Sequence, residues 1–349
     1  MPKDNDRDKE SIAFFADLPT EPSVPQGFSH QQMVRCDECL RANPPTRVNC
    51  LYCGLALPVT EASAAFAKPS LRPLESWEQG YNSILLRIRG DEPSADRLSQ
   101  AAALLKLEPS ALQRVVSARS KLPLARTATP EEAELVGRRL NELGMETITV
   151  PDQDLQLETA PPRRLRRIEL READFLAYQI GQTDGAPIAW AEISLIIVGR
   201  LFVKQVALRE RKSRKPENEI LDSSEVTADE AVLDIYLAKQ PESWRINAGS
   251  FDFSCLGENK TLLAGENFPR LTNLIRDRAS NAEFDDSYHS VRRCLEMVWP
   301  VAKRVESAGL KVRGSKYSTG EIITTNSEPQ FTRYSRLCHY LKKNSLVQF

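Results

Sequence analysis

Apolar positions change their spacing twice along the chain. Between residues 94 and 107, Leu98, Ala101, Ala102 and Leu105 recur at three to four positions, which predicts a helix. Pro109 opens a second one carrying Leu112, Val115 and Val116, since proline is tolerated in a first helical turn. A third has Ala133, Val136, Leu140 and Leu143 on one face. Thr129 is placed to cap it, Pro130 stands at its first position, Glu132 completes a capping box and Gly144 ends it. The short runs NSILLRI (82–88), PLARTA (123–128) and the Ile148 to Val150 stretch read as strands. Residues 77–156 therefore predict a compact β-α-α-β-α-β unit.

Beyond a hinge at Pro161 to Arg167 the period shortens. FLAYQIG, IAWAEISLIIVGRLFV, VLDIYLA and WRINAGSFDFSCLG are rich in β-branched and aromatic residues, and Thr183-Asp184-Gly185 signals a turn. ENFPRLTNLIRDRA (266–279) reads as a helix. Tyr288, Val291, Leu295, Val298, Ala302 and Val305 predict a longer one, kinked at Pro300 and ended by Gly309. Residues 327–343 predict a last helix. Residues 157–349 thus form a β-rich domain with C-terminal helices. At the other end, 1–31 reads as a charged, proline-containing tail with one apolar exception at Ala13, Phe14 and Phe15; 59–76 reads as a linker. The expected fold class is α+β multidomain: a small paired-cysteine module at 32–58, the αβ unit and the β-rich domain.

Composition narrows the function. The 349 residues carry a net charge of −1, so no global basic field holds nucleic acid or an anionic membrane. No apolar run approaches the ~20 residues that span a bilayer. The N-terminus, MPKDNDRDKE, has no apolar signal core. Four of the seven cysteines fall between 36 and 53, with Cys255, Cys294 and Cys338 scattered singly. That usage fits a reducing compartment, and a cytoplasmic location is expected.

Cys36-x2-Cys39-x10-Cys50-x2-Cys53 is the strongest chemical signal. Each pair makes a tight turn with both thiolates on one side, and two turns supply a tetrahedral sulfur cage that suits one structural Zn2+. Iron is the alternative occupant. Four protein ligands leave no open position, so catalysis at this metal is not expected. The surrounding residues are similar to prokaryotic zinc ribbons of the form C-x2-C-G-x2-N-P-x5-C-x2-C-G-x2-L. Asn43, Pro44, Gly54 and Leu57 fall in place, while Leu40 stands where the first glycine belongs. The spacing also resembles the Ran-binding-type zinc finger, whose members bind single-stranded RNA or ubiquitin. Its tryptophan is Val34 here, although Arg35, Arg41 and Arg47 remain for phosphates.

The element order of 77–156, with TPEEAELVGRRLNELGMETITV, resembles the C-terminal domain of the ribosomal stalk protein and the related fold of the Clp-protease adaptor. The β-rich half, with IAWAEISLI, resembles pleckstrin-homology-like bacterial domains. These resemblances imply folds, not a partner.

Other candidates read as structural. The run Arg163, Arg164, Arg166, Arg167, Arg171 is interrupted by Glu169 and Glu172. The cluster Arg209, Arg211, Lys212, Arg214, Lys215 is followed by the acidic stretch ENEILDSSEVTADE, and the two read as a self-neutralising flexible loop. His30, His289 and His339 are too few and too scattered to suggest acid–base chemistry, and Cys255 reads as a small hydrophobe. Trp190, Trp244 and Trp299 read as core anchors. The expectation is a non-enzymatic, zinc-binding adaptor or regulator acting through an unidentified protein partner. Single-stranded RNA binding through the ribbon is the alternative, and an enzyme in the C-terminal half a third.

Overall fold

The computed structural model describes residues 27–58, 69–75, 77–90, 93–211, 219–307 and 318–345. The apolar Ala13–Phe15 stretch of the tail, most of the linker, the tip of the basic cluster at 212–215 and the Gly309 helix end lie outside the described residues. The chain divides into two compact units, meeting at Ala67 and Lys68. Its class is mixed α+β, as the sequence predicts.

The first unit is small. Strands β1 (Val34–Arg35) and β2 (Ala42–Asn43) pair antiparallel, and Asn49 bridges to Ala56. Among the described residues, Val34, Val48 and Leu57 are its buried hydrophobes besides Cys36 and Cys50.

The second unit begins with β3 (Tyr81–Ile88), α1 (Ala95–Leu105), α2 (Pro109–Ser117), β4 (Pro123–Thr127), α3 (Pro130–Glu142) and β5 (Met145–Pro151). The strands form one antiparallel sheet in the order β4-β3-β5. The Thr129 hydroxyl accepts from the Glu132 amide at 3.3 Å, and Gly144 takes the left-handed φ of 86° that ends α3. The capping box, however, is not completed. Buried Glu132 turns instead to the incoming chain and accepts from Ser70 N at 2.6 Å and Leu71 N at 2.8 Å. Two amides of an irregular segment need an acceptor more than a helix end open to water does.

A larger sheet follows. Its strands are β6 (Arg163–Leu170), β7 (Asp174–Gln179), β8 (Ala186–Ala189), β9 (Ile193–Arg211), β10 (Glu219–Leu237) and β11 (Ser243–Asn247). Helix α4 (Ala264–Arg278), β12 (Glu283–Asp285), α5 (Tyr288–Leu295), β13 (Ala302–Ser307), β14 (Ser318–Asn326) and α6 (Glu328–Lys343) complete it. The order is β13-β14-β9-β10-β11-β6-β7-β8, with β12 alongside β9. Gly199 of β9 is a close-approach position: an added Cβ would meet the Phe331 ring at 2.5 Å.

The long helix expected from Tyr288 to Val305 is not formed. Helix α5 stops at Leu295, Val298 and Trp299 close a turn on Leu295 O, and Ala302 to Val305 run as strand β13 against β14. Pro300 has no N–H to continue the helix. Trp299 is pulled inward, where its Nε1 donates to Asn82 Oδ1 at 2.9 Å.

The two faces of the large sheet are buried differently. Ile196, Leu233, Ile235 and Trp244 pack under α4 through Phe268, Leu271 and Ile275. The opposite face, with Leu195, Ile197 and Val232, joins Phe331 and Leu337 of α6 and Ile84, Leu112 and Val136 of the αβ unit in one core. Two buried polar clusters fasten α6 there. Asp152 accepts from Asn82 Nδ2 at 2.9 Å, Arg126 Nη2 at 2.6 Å and Arg333 Nη1 at 2.9 Å. Burial opposes its charge, but Arg333, Asn82 and Arg126 outweigh that and hold the carboxyl below its ordinary range. Asp234 meets Arg245 in a two-point pair at 2.7 Å and 2.7 Å, both side chains being almost wholly buried. Ser335 donates to Asp234 at 2.7 Å, and Thr332 accepts from Arg245 at 3.0 Å.

Candidate metal centre

The two Cys-x-x-Cys turns of the first unit are built alike. Leu40 N donates to Cys36 O at 2.9 Å and Gly54 N to Cys50 O at 3.0 Å. Cys36 N then donates to Arg41 O, and Cys50 N to Leu55 O, at 3.0 and 2.7 Å. Each turn thus places its fifth residue in the left-handed region: φ is 56° at Leu40 and 77° at Gly54. Glycine meets that demand without a Cβ penalty, and leucine meets it with one.

The turns bring four sulfurs together. All four Sγ atoms lie within 4.8 Å of one another, with Cys36 to Cys53 at 3.6 Å and Cys39 to Cys50 at 3.5 Å. A tetrahedral ion at ~2.3 Å from each sulfur gives sulfur–sulfur edges of about 3.8 Å, so the cage fits a metal without opening. The cysteines are therefore positioned to bind one structural metal ion, as the spacing predicts.

Asn43 supports the cage from β2. Fully buried, it donates through Nδ2 to Cys50 Sγ at 3.4 Å and accepts at Oδ1 from Leu51 N at 2.8 Å. Burial disfavours the Cys50 thiolate, but the amides of Tyr52 and Cys53 and the Asn43 side chain together bring it down to about 6. At Cys53 the Leu55 amide favours the thiolate, yet burial and the three neighbouring sulfurs hold the thiol up at about 12. Four sulfurs this close cannot all be charged without a cation, which a bound metal supplies as it displaces their protons.

The arginines near the cage stand differently. Arg35 Nε is spent on Leu40 O at 3.0 Å and Arg47 is exposed. Arg41 lies over the ring of Tyr52, 4.7 Å from its centroid, and Tyr52 is 55% exposed. Sequence reasoning assigned the stacking position to Val34, which is buried, and passed over Tyr52. An aromatic between two metal-ligating cysteines, where it cannot reach a core, was the available signal.

Elsewhere the basic run is used internally. Arg163 lies over Trp244, Arg164 pairs with Glu328 at 2.6 Å, Arg166 donates to Ser250 O, and Arg167 lies over Tyr178 at 3.6 Å. Trp190, Trp244 and Trp299 are core residues. Burial pushes the Cys255 thiol up to about 11 and Cys338 well above its ordinary value. His339 stacks on Tyr236 at 4.4 Å, and burial, with Arg336, Lys343 and Lys342, lowers it to about 4. His30 and His289 are exposed.

No protein-family model, curated protein or solved structure matches this chain. Among the described residues, no helix is long and apolar enough to cross a membrane.

Proposed function

We propose that the protein is a non-enzymatic, cytoplasmic adaptor or regulator whose first unit is a zinc ribbon and whose work is done through protein–protein contacts. The observation that carries this reading is the closed sulfur cage. Cys36, Cys39, Cys50 and Cys53 would hold Zn2+ with every coordination position filled by protein, which leaves no place for a metal-activated water. Zinc suits four thiolates better than harder ions do, and needs no redox partner. The metal supplies folding free energy; the chain's residues supply the surface. Four of the exposed large hydrophobes, Leu40, Leu51, Tyr52 and Leu55, lie on the two turns, where a partner would meet them. Metal analysis of the purified chain should find about one zinc per molecule. Affinity capture from the source cell, with the intact chain and with Leu51→Ser/Tyr52→Ser, should lose a specific partner in the variant. Turnover of a substrate by the chain alone would refute the reading.

A second reading is favoured by the Arg41–Tyr52 stack. An exposed ring beside a guanidinium is a platform on which a base can lie, and Arg47 is free to meet a phosphate. Titration with single-stranded RNA at two salt concentrations tests it; binding at low salt that Tyr52→Ala abolishes supports it, and none at low salt removes it.

A further inference from the structure

Strand β10 is paired on both sides along only part of its length. From Val232 to Tyr236 it lies between β9 and β11. From Glu219 to Glu230, among the described residues, it pairs with β9 alone, and Ala248 N to Ala231 O is the last bond on the far side. Residues 224–229 are all exposed, Val226 to 63%. A strand edge of this length offers a row of unpaired amides and carbonyls to any extended chain.

A groove of about 830 Å3 opens where that edge begins, between α4 and strands β9 and β10. That volume lies in the range of ligand pockets. Its apolar part is Val198, Ala231, Phe268 and Phe284. Its charged part is Asp229, Glu230 and Asp286 against Arg200, a net of minus two. Arg200 is already held by Asp229 at 3.0 Å, whereas Asp286 is exposed and has no ion pair or hydrogen bond among the described residues. Pro269, inside α4, has no N–H to give the carbonyl of Gly265 on the groove wall, which leaves a further acceptor. Farther out along the edge, Glu225 is paired with Lys204 at 2.7 Å.

We propose that this groove and the β10 edge form one peptide-binding site, which takes an extended basic segment of a partner protein as an added strand. Main-chain bonds to β10 supply affinity; an apolar side chain in the groove against Phe268 and Phe284, and a Lys or Arg facing Asp286, supply selection. The chemistry is strand addition with alternate side chains read by a pocket. The site belongs to the second unit and stands whether or not the ribbon holds zinc.

The test uses the full chain and a fluorescein-labelled peptide, Gly-Lys-Val-Phe-Val-Arg, followed by anisotropy. A control peptide has Glu at both basic positions. A second control is N-methylated at alternate residues. Two variants act on the protein. Gly265→Phe fills the groove, because a side chain there meets no atom within 4 Å of its Cβ. Asp286→Lys reverses an exposed, unpaired charge, so it carries the test should Gly265→Phe fail to fold. The expected result is saturable binding of the basic peptide, weakened at least tenfold by either folded variant and by either change to the peptide. Equal binding of the acidic peptide, indifference to both variants, or no binding of the basic peptide at millimolar protein overturns the proposal.

Discussion

Removing the metal should unfold the first unit and spare the second. The perturbation is a strong zinc chelator added to the intact chain, or Cys39→Ser. The magnitude follows from what else holds the ribbon together. Among the described residues, its buried hydrophobes outside the cysteines are Val34, Val48 and Leu57. At about 2 kcal/mol each, these supply about 6 kcal/mol. Structural zinc in comparable small modules contributes ~10–16 kcal/mol, so the metal is the larger share and the remainder cannot order some thirty residues alone. The second unit has its own two-sided core. Hydrogen exchange resolves the two. With chelator, amides of Cys36, Leu40, Cys50 and Gly54, each bonded within the turns, should lose protection, while those of β9, β10 and α6 keep theirs. Trypsin should then cut at Arg41 and Arg47. A ribbon that stayed protected after its metal was shown to be gone would refute the reasoning.

Three further outcomes follow from other sites. Asp234→Ala strands the buried Arg245 charge and should cost about 3–5 kcal/mol of second-unit stability; the double variant Asp234→Leu/Arg245→Met, measured by urea unfolding, should cost less than the sum of the two singles, and additivity would contradict the pairing. His339 is depressed to about 4 in the folded chain, so its contribution is present above its unfolded value near 6.5 and is lost as pH falls toward 4. Thermal unfolding between pH 7 and 4 should therefore show a slope that His339→Gln flattens, and an unchanged slope would exclude this source. Leu40→Gly removes a Cβ from a left-handed position that Gly54 fills in the matching turn. The variant should retain zinc at least as well in a competition with a chromogenic chelator, with the gain held below about 1 kcal/mol because glycine also loosens the unfolded chain.

What could be read in advance was local. The cysteine spacing, Thr129-Pro130 and Gly144 each act within a few residues, and the structure places them as expected. The failures have partners far away. Glu132 satisfies the rule for a capping box, but its carboxylate serves Ser70 and Leu71, 62 and 61 residues earlier. Val298, Ala302 and Val305 keep helical spacing, yet the pull of Asn82 on Trp299 and the pairing of β13 with β14 decide their conformation. The length of β9 and β10, 19 residues each, was also hidden: the acidic stretch after the basic cluster reads as a loop, yet from Glu219 it runs as β10 beside β9. Asp234 inside VLDIYL and Arg245 inside WRIN were legible in hindsight: a charge within an apolar run asks for a buried partner. Asn43 was counted as part of a motif; its bond to Cys50 shows why the motif needs it.

Helix α6 follows, in order of synthesis, every element it completes. Arg333 reaches back to Asp152, Gln330 to Tyr288 and to the Trp299 carbonyl, and Ser335 to Asp234. Until those sixteen residues leave the ribosome, the nascent unit carries buried acids and carbonyls with missing donors and an uncovered sheet face. Completion of folding is thereby tied to completion of that helix. A chain broken before that helix keeps Arg126 on Asp152 and Arg245 on Asp234, but loses the Arg333 and Ser335 donors that close the two clusters.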